Sequence, residues 1–171
     1  MTRAKLLQPD FVVGKTIVDL SVQTLESFGL KGLVLDVDET LVPFKNDSIS
    51  LELHDWIHPV KAIMPIWLVS NNLSESRIRK IADALELPFL FGAAKPSRRK
   101  LRQVIAGMQL PVESVAMVGD RLFTDVLAGN RLGMFTILVE PMVMPGEAPN
   151  RWSIRNIEVL ISKQLGVRLH H

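Results

Sequence analysis

Short apolar runs alternate along this chain with longer segments in which apolar residues recur every three or four positions. The runs are 32–38 (GLVLDVD), 66–72 (IWLVSNN), 89–92 (FLFG), 114–120 (SVAMVGD) and 135–140 (FTILVE), and each reads as a buried strand. The spaced segments predict helices over 11–28, 51–60, 74–86, 97–108, 124–132 and 151–166. Within 74–86, Ile78, Ile81, Ala82 and Leu85 share one face and Ser74 stands at the N-cap. Gly133 stops the 124–132 helix. Strands that alternate with helices and are apolar throughout imply a parallel sheet covered on both faces. The expectation is an α/β three-layer sandwich with a central parallel sheet of about five strands. Residues 1–171 read as one domain, with a core near 30–140 and flanking terminal helices.

Composition narrows the class. A chain of 171 residues, 47% apolar and 22% charged, can bury a real core. Mean hydropathy is +0.22, yet no apolar run approaches the ~18 residues of a membrane span. The start, MTRAKLLQPDFVVGK, lacks the unbroken apolar core of a signal peptide. A cytoplasmic protein is expected, one that could sit peripherally at a membrane surface. With no cysteine, disulfides and thiolate metal sites are excluded. A net charge of +2 and a pI near 9.1 permit an anionic partner without demanding one.

The polar residues fall where ligands bind in such a fold, just beyond the carboxyl ends of the strands. Asp36 and Asp38 end the first run, Ser70 and Asn71 the second, Lys95 follows the third, and Asp120 ends the fourth. Clustered carboxylates can all stay ionised around a divalent cation, and hard oxygen donors without His or Cys favour Mg²⁺ over Zn²⁺. This is equipment for phosphoryl transfer. A carboxylate such as Asp36 can attack phosphorus. Lys95 and the metal offset charge on the phosphoryl oxygens. Ser70 can donate to one of those oxygens. Asp38 can protonate the leaving oxygen and then deprotonate water.

The four segments resemble a known family. DVDET at 36–40 resembles the first motif, DxDx(T/V), of the haloacid dehalogenase-like (HAD) phosphatases. Ser70 in LVSNN matches the second motif, Lys95 in KP the third, and GDRLFTD at 119–125 the fourth. The resemblance implies a Rossmann-like HAD fold, with Asp36 as nucleophile and Asp38 as acid/base. It implies Mg²⁺ held by the Asp36 carboxylate, the Asp38 backbone carbonyl and Asp120. Asp125 would assist, Thr40 would support the first loop, and Asn71 would support the second. More narrowly, LLQPDFVV, GLKGLVLDVDETLVPF, VSNN, KPSRRKL and VGDRLFTDVLAGNRLGM resemble the YqeG family of class III HAD phosphatases. That family is similar to the organellar phosphatases acting on phosphatidylglycerophosphate. Glu39 departs from its pattern, since Asn is frequent there.

Bland readings stand beside these. A lone D-x-D is more often a solvated turn than a catalytic pair, and only the ordered recurrence of four motifs after apolar runs changes that. Arg98, Arg99 and Lys100 begin a helix, where basic residues oppose the backbone dipole. Arg98 is read as substrate-binding, and Arg99 and Lys100 as a solvated face. His54 and His58 read as a surface face, and Trp56, Trp67 and Trp152 as packing. His170 and His171 read as a terminal remnant.

About 30 residues separate Asp38 from Ser70 and about 25 separate Ser70 from Lys95, against roughly 50 or more for an inserted cap domain. No cap is expected, so the site should be open and its phosphorylated substrate large. A phospholipid headgroup is the leading partner, with peripheral membrane contact. Met142, Val143 and Met144 fit either a bilayer contact or packing on the closing helix. The alternatives are nucleic-acid ends or another large phosphoester, and a non-catalytic metal-holding module. Nucleic acid is not expected, because the basic residues lack interleaved aromatics and the chain has no Tyr.

Overall fold

The computed structural model describes residues 3–44, 46–143, 158, 160, 166 and 167. Their framework is one six-stranded parallel sheet: β1 (Phe11–Val12), β2 (Gly32–Leu35), β3 (Ile66–Val69), β4 (Phe89–Leu90), β5 (Val115–Gly119) and β6 (Phe135–Leu138). The strand order is β1-β6-β5-β2-β3-β4. Helices α1 (Arg3–Leu7), α2 (Val22–Ser27), α3 (Leu51–Ile63), α4 (Glu75–Leu85), α5 (Arg99–Met108) and α6 (Leu127–Leu132) surround it.

Alternation along the strands builds the layers. Leu33, Leu35, Leu68, Ala116 and Val118 face one way and join Leu53, Ile57 and Val60 of α3 with Ile78, Ile81 and Leu85 of α4. Val34, Val69, Val115 and Met117 face the other way, onto Leu101 and Val104 of α5 and Ala128 of α6. Both faces are therefore covered. Trp56 is buried and donates from Nε1 to the Leu20 carbonyl at 2.5 Å. Trp67 packs with the second cluster. Trp152 lies outside the described residues, as do most of the 151–166 helix and His170 and His171.

One element differs from expectation. Segment 11–28 is not one helix: it holds strand β1, a 3₁₀ turn at Ile17–Asp19 and the short α2. Asp10 explains the strand. Its carboxylate Oδ2 accepts from the Thr136 amide at 2.8 Å and the Thr136 hydroxyl at 2.9 Å, and its own amide donates to the Thr136 carbonyl at 3.0 Å. That clamp lays Phe11 and Val12 against Ile137 and Leu138, adding a sixth strand to the five expected. Gly14, at φ +72°, then turns the chain away.

The topology sets the site. From β2 the chain steps to β3 and β4 on one side, then crosses back to β5 and β6 on the other. The β2–β5 pair is the switch in direction, and its carboxyl end is where a crevice opens in such sheets. Each link that passes the rim between β2 and β4 is a crossover through α3 or α4, with no added domain among the described residues.

Asp10→Ala removes the two side-chain contacts that pin the edge strand and leaves the backbone one. It is expected to lower the free energy of unfolding by about 1–3 kcal/mol in urea denaturation, because the buried Thr136 hydroxyl and amide lose an acceptor.

Candidate active site

Asp36 follows the last residue of β2, and its amide still bonds to the Val118 carbonyl at 2.9 Å, so the ladder fixes its backbone. Asp120 follows β5, and both acids are buried. The chain then makes a π-helical turn at Leu122–Val126, which folds Asp125 back under the strand ends. Gly119 makes room: a Cβ there would lie 2.3 Å from Asp125 Oδ2. The glycine of GDRLFTD is thus a close-approach position.

Lys95 arrives from the loop after β4. Its Nζ donates to Asp36 Oδ1 at 2.6 Å and to the Val69 carbonyl at 2.8 Å, and pairs with Asp125 Oδ1 at 2.7 Å. Asn71 holds that loop from two sides. Its Oδ1 accepts from the Lys95 amide at 2.7 Å, and its Nδ2 donates to the Lys95 carbonyl at 3.1 Å. Thr40 is fully buried and donates to Asp120 Oδ1 at 3.4 Å. Asp36, Asp120, Asp125, Lys95, Thr40 and Asn71 are thereby brought together.

Burial and mutual charge shape the titration. Burial pushes the Asp36 carboxyl up to about 7; Lys95 opposes the rise, while Asp125 and Asp38 reinforce it. Burial alone would lower Lys95, but the charges of Asp125 and Asp36 outweigh it and raise the ammonium above its ordinary range. The donor set fits a hard divalent cation. Carboxylate oxygens of Asp36, Asp120 and Asp125 lie within 4.8 Å of one another, all three acids are buried, and neither His nor Cys joins them. One lysine cannot balance three carboxylates, and a cation would.

Asp38 stands beside this cluster in a second set of contacts. Its Oδ2 accepts from Ser70 Oγ at 3.3 Å and from Asn72 Nδ2 at 3.2 Å, and its Oδ1 pairs with Arg77 of α4. Ser70, fully buried, spends its hydroxyl on Asp38 and accepts from the Asn72 amide at 3.0 Å. Arg98 lies elsewhere in its contacts. Its guanidinium donates to the Arg131 carbonyl at 2.9 Å, and Arg131 donates to the Pro96 carbonyl at 3.1 Å, tying the start of α5 to the end of α6. Lys100 is not merely solvated, since its ammonium lies over the Phe91 ring and donates to the Phe91 carbonyl.

Glu39 has φ +63°, a left-handed conformation that Asn tolerates better than Glu. Its carbonyl accepts from the Met142 amide at 2.6 Å, so the loop after β6 rests on the loop after β2. Met142 packs toward the core while Val143 is exposed; Met144 lies outside the described residues.

Sequence reasoning missed Asn72, Arg77 and Glu158. Glu158 accepts from Arg121 at 2.7 Å and from the Leu122 amide at 3.1 Å, anchoring the turn that carries Asp125. Arg77 left a signal: a base in the first turn of a helix opposes the dipole, as argued for Arg98. No helix among the described residues is long and apolar enough to cross a membrane.

Comparison with known proteins places the chain in a family and a fold. A HAD-hydrolase-like family model matches residues 92–148. The chain is 34% identical over 139 residues to the probable phosphatase YqeG of Bacillus subtilis, covering 81% of this chain and 80% of that one. It is 33% identical over 150 residues to the chloroplastic phosphatidylglycerophosphate phosphatase 1 of Chlamydomonas reinhardtii, and there it spans only 54% of the relative's length. A putative HAD-like phosphatase structure from Mesorhizobium loti shares the fold at a TM-score of 0.52 and 20% identity, covering 83% of this chain and 90% of that one.

The packing of this cluster makes Gly119 and Asp125 interdependent. Gly119→Ala should destabilise by about 1–3 kcal/mol, and most of that cost should vanish in an Asp125→Gly background, which removes the Cβ at 2.6 Å along with the carboxylate; a cycle of urea denaturations measures the coupling. Its charge makes stability depend on pH. A carboxyl raised on folding holds its proton more tightly in the folded chain, so it favours folding at low pH. That contribution is lost as pH rises from about 4 through about 7. In metal-free protein, Asp36→Asn should therefore gain stability over wild type across that window, by on the order of a few kcal/mol, and the gain should level off above it.

Proposed function

Because this chain belongs to the YqeG family of HAD-like phosphatases, we propose that it hydrolyses phosphatidylglycerophosphate to phosphatidylglycerol through an aspartyl-phosphate on Asp36. The observation that carries the chemistry is the buried Asp36–Lys95–Asp125 contact at the β2–β5 switch, with Asp120 beside it and Asp38 two residues on.

Asp36 attacks phosphorus, and the bond from phosphorus to the leaving oxygen breaks. Asp38 gives its proton to that oxygen. Water then attacks the phosphorus of the aspartyl-phosphate, Asp38 takes the water's proton, and inorganic phosphate leaves Asp36. Lys95, held in its charged form, offsets charge on the phosphoryl oxygens throughout. Mg²⁺, held by Asp36, Asp120 and the Asp38 carbonyl with Asp125 close by, would supply further charge compensation.

The lipid substrate is supported by the names of the relatives and by the form of the rim. Residues 1–171 are read as one domain without a cap. The loops after β2, β3 and β6 each leave a large apolar side chain exposed: Phe44, Leu73 and Val143. Three such residues at the carboxyl edge of one sheet suit peripheral contact with a bilayer from the cytoplasmic side. The Arg98 guanidinium, at the start of α5 after Lys95, is the cation proposed to meet the substrate's second anionic group.

Phosphate release from phosphatidylglycerophosphate in mixed micelles tests this reading, with Mg²⁺ or EDTA, for wild type and Asp36→Asn. Release that needs both the metal and Asp36 is expected, with loss of at least about 10³-fold in the variant. An enzyme that spares this lipid yet hydrolyses an aryl phosphate would keep the chemistry and remove the substrate.

A further inference from the structure

Arg77 lies in the first turn of α4, the end of a helix that disfavours a cation. Its guanidinium is nonetheless largely buried, with 18% of the side chain exposed, against 16% for the Asp38 side chain it pairs with. One nitrogen, Nη1, serves Asp38 Oδ1. The other, Nη2, donates to three backbone carbonyls of the loop after β2: Pro43 at 3.3 Å, Phe44 at 3.1 Å and Asn46 at 2.9 Å. Four acceptors from two places in the chain meet one planar fork, a geometry that a lysine ammonium cannot reproduce.

The rest of Asp38 is also held. Ser70 and Asn72 take Oδ2, and Asn72 is itself tied to the start of α4 through Oδ1, which accepts from the Ser74 amide at 2.9 Å. Ser70 and Asn72, just past β3, and Arg77 of α4 thus grip one carboxylate, and Arg77 joins it to the carbonyls of Pro43, Phe44 and Asn46. The loop carries Phe44, 61% exposed on the open rim.

We propose that Arg77 is a positioning residue that locks Asp38 and the 43–46 loop into one unit, presenting the acid/base to the leaving oxygen and the attacking water. The catalytic half rests on the phosphatase reading above. Arg77 touches no reacting atom. Its effect passes through Asp38, so it should weigh most where proton transfer to the leaving group matters most.

The test compares wild type, Arg77→Ala and Arg77→Lys on phenyl phosphate, a poor leaving group, and 2,4-dinitrophenyl phosphate, which leaves without a proton. Arg77→Ala should lose about tenfold or more in kcat/KM, which stops at the step that expels the leaving group, on the first and less than about threefold on the second. In an Asp38→Asn background, the loss that Arg77→Ala causes on phenyl phosphate should largely vanish, because the group it positions is already disabled. Amide exchange at Asn46 and Ser48, whose N–H groups bond to the Pro43 carbonyl and Asn46 Oδ1, should quicken about tenfold in both Arg77 variants. Arg77→Lys should recover part of the phenyl phosphate rate through its charge while leaving the loop loose. Equal losses on both substrates, a faster enzyme, or unchanged exchange would overturn the proposal. A wild type inactive on both esters would defeat the phosphatase reading and the catalytic half with it, and loop exchange alone would then decide whether Arg77 is a clamp.

Discussion

Three carboxylates buried within reach of one another, with a single lysine among them, are the constraint on which the rest of this structure depends. Ionised acids repel at such range, and burial removes the water that would screen them. The Lys95 ammonium answers part of the repulsion by touching Asp36 and Asp125 together. Burial above all, with the charge of Asp125 adding to it, still raises the Asp36 carboxyl. Such an arrangement costs stability unless a cation completes it, and it persists because the sheet overdetermines its backbone. Asp36 and Asp120 extend adjacent, fully buried strands, so neither can retreat without breaking a central ladder.

Around that cluster the motif segments hold one another rather than acting separately. The Ser-Asn-Asn stretch shows how. Ser70 and Asn72 both turn to Asp38, while Asn71 takes the amide and carbonyl of Lys95. Three successive residues just past β3 thus place Asp38 of one loop and Lys95 of another. Thr40 does the same between the first loop and Asp120, and Gly119 yields the space that Asp125 fills. Among the described residues, α3 and α4 serve as crossovers on one face of the sheet, and no inserted domain separates β2 from β4.

Two departures from the sequence reading share a physical origin. Phe11 and Val12 share a helical spacing with residues 13–28, but Asp10 finds a buried partner in Thr136, more than a hundred residues away, and the pairing draws them into the sheet. Lys100 was read as part of a solvated face, yet its ammonium lies over the Phe91 ring and donates to the Phe91 carbonyl. Both were decided by partners outside the segment's own helical repeat, which local spacing does not record.

The amino-acid sequence by itself determined the alternation of strand and helix, the parallel sheet, and the identity of the acids, hydroxyl and lysine at the strand ends. These are legible because a strand buried on both faces must be apolar throughout, so its first charged residue marks its end. The tertiary structure alone decided which of those groups touch. It placed Lys95 between Asp36 and Asp125, turned Ser70 toward Asp38, and brought Arg77 and Glu158 to the site. Contacts between side chains depend on strand order and crossover path, and a parallel sheet joins residues that lie far apart along the chain.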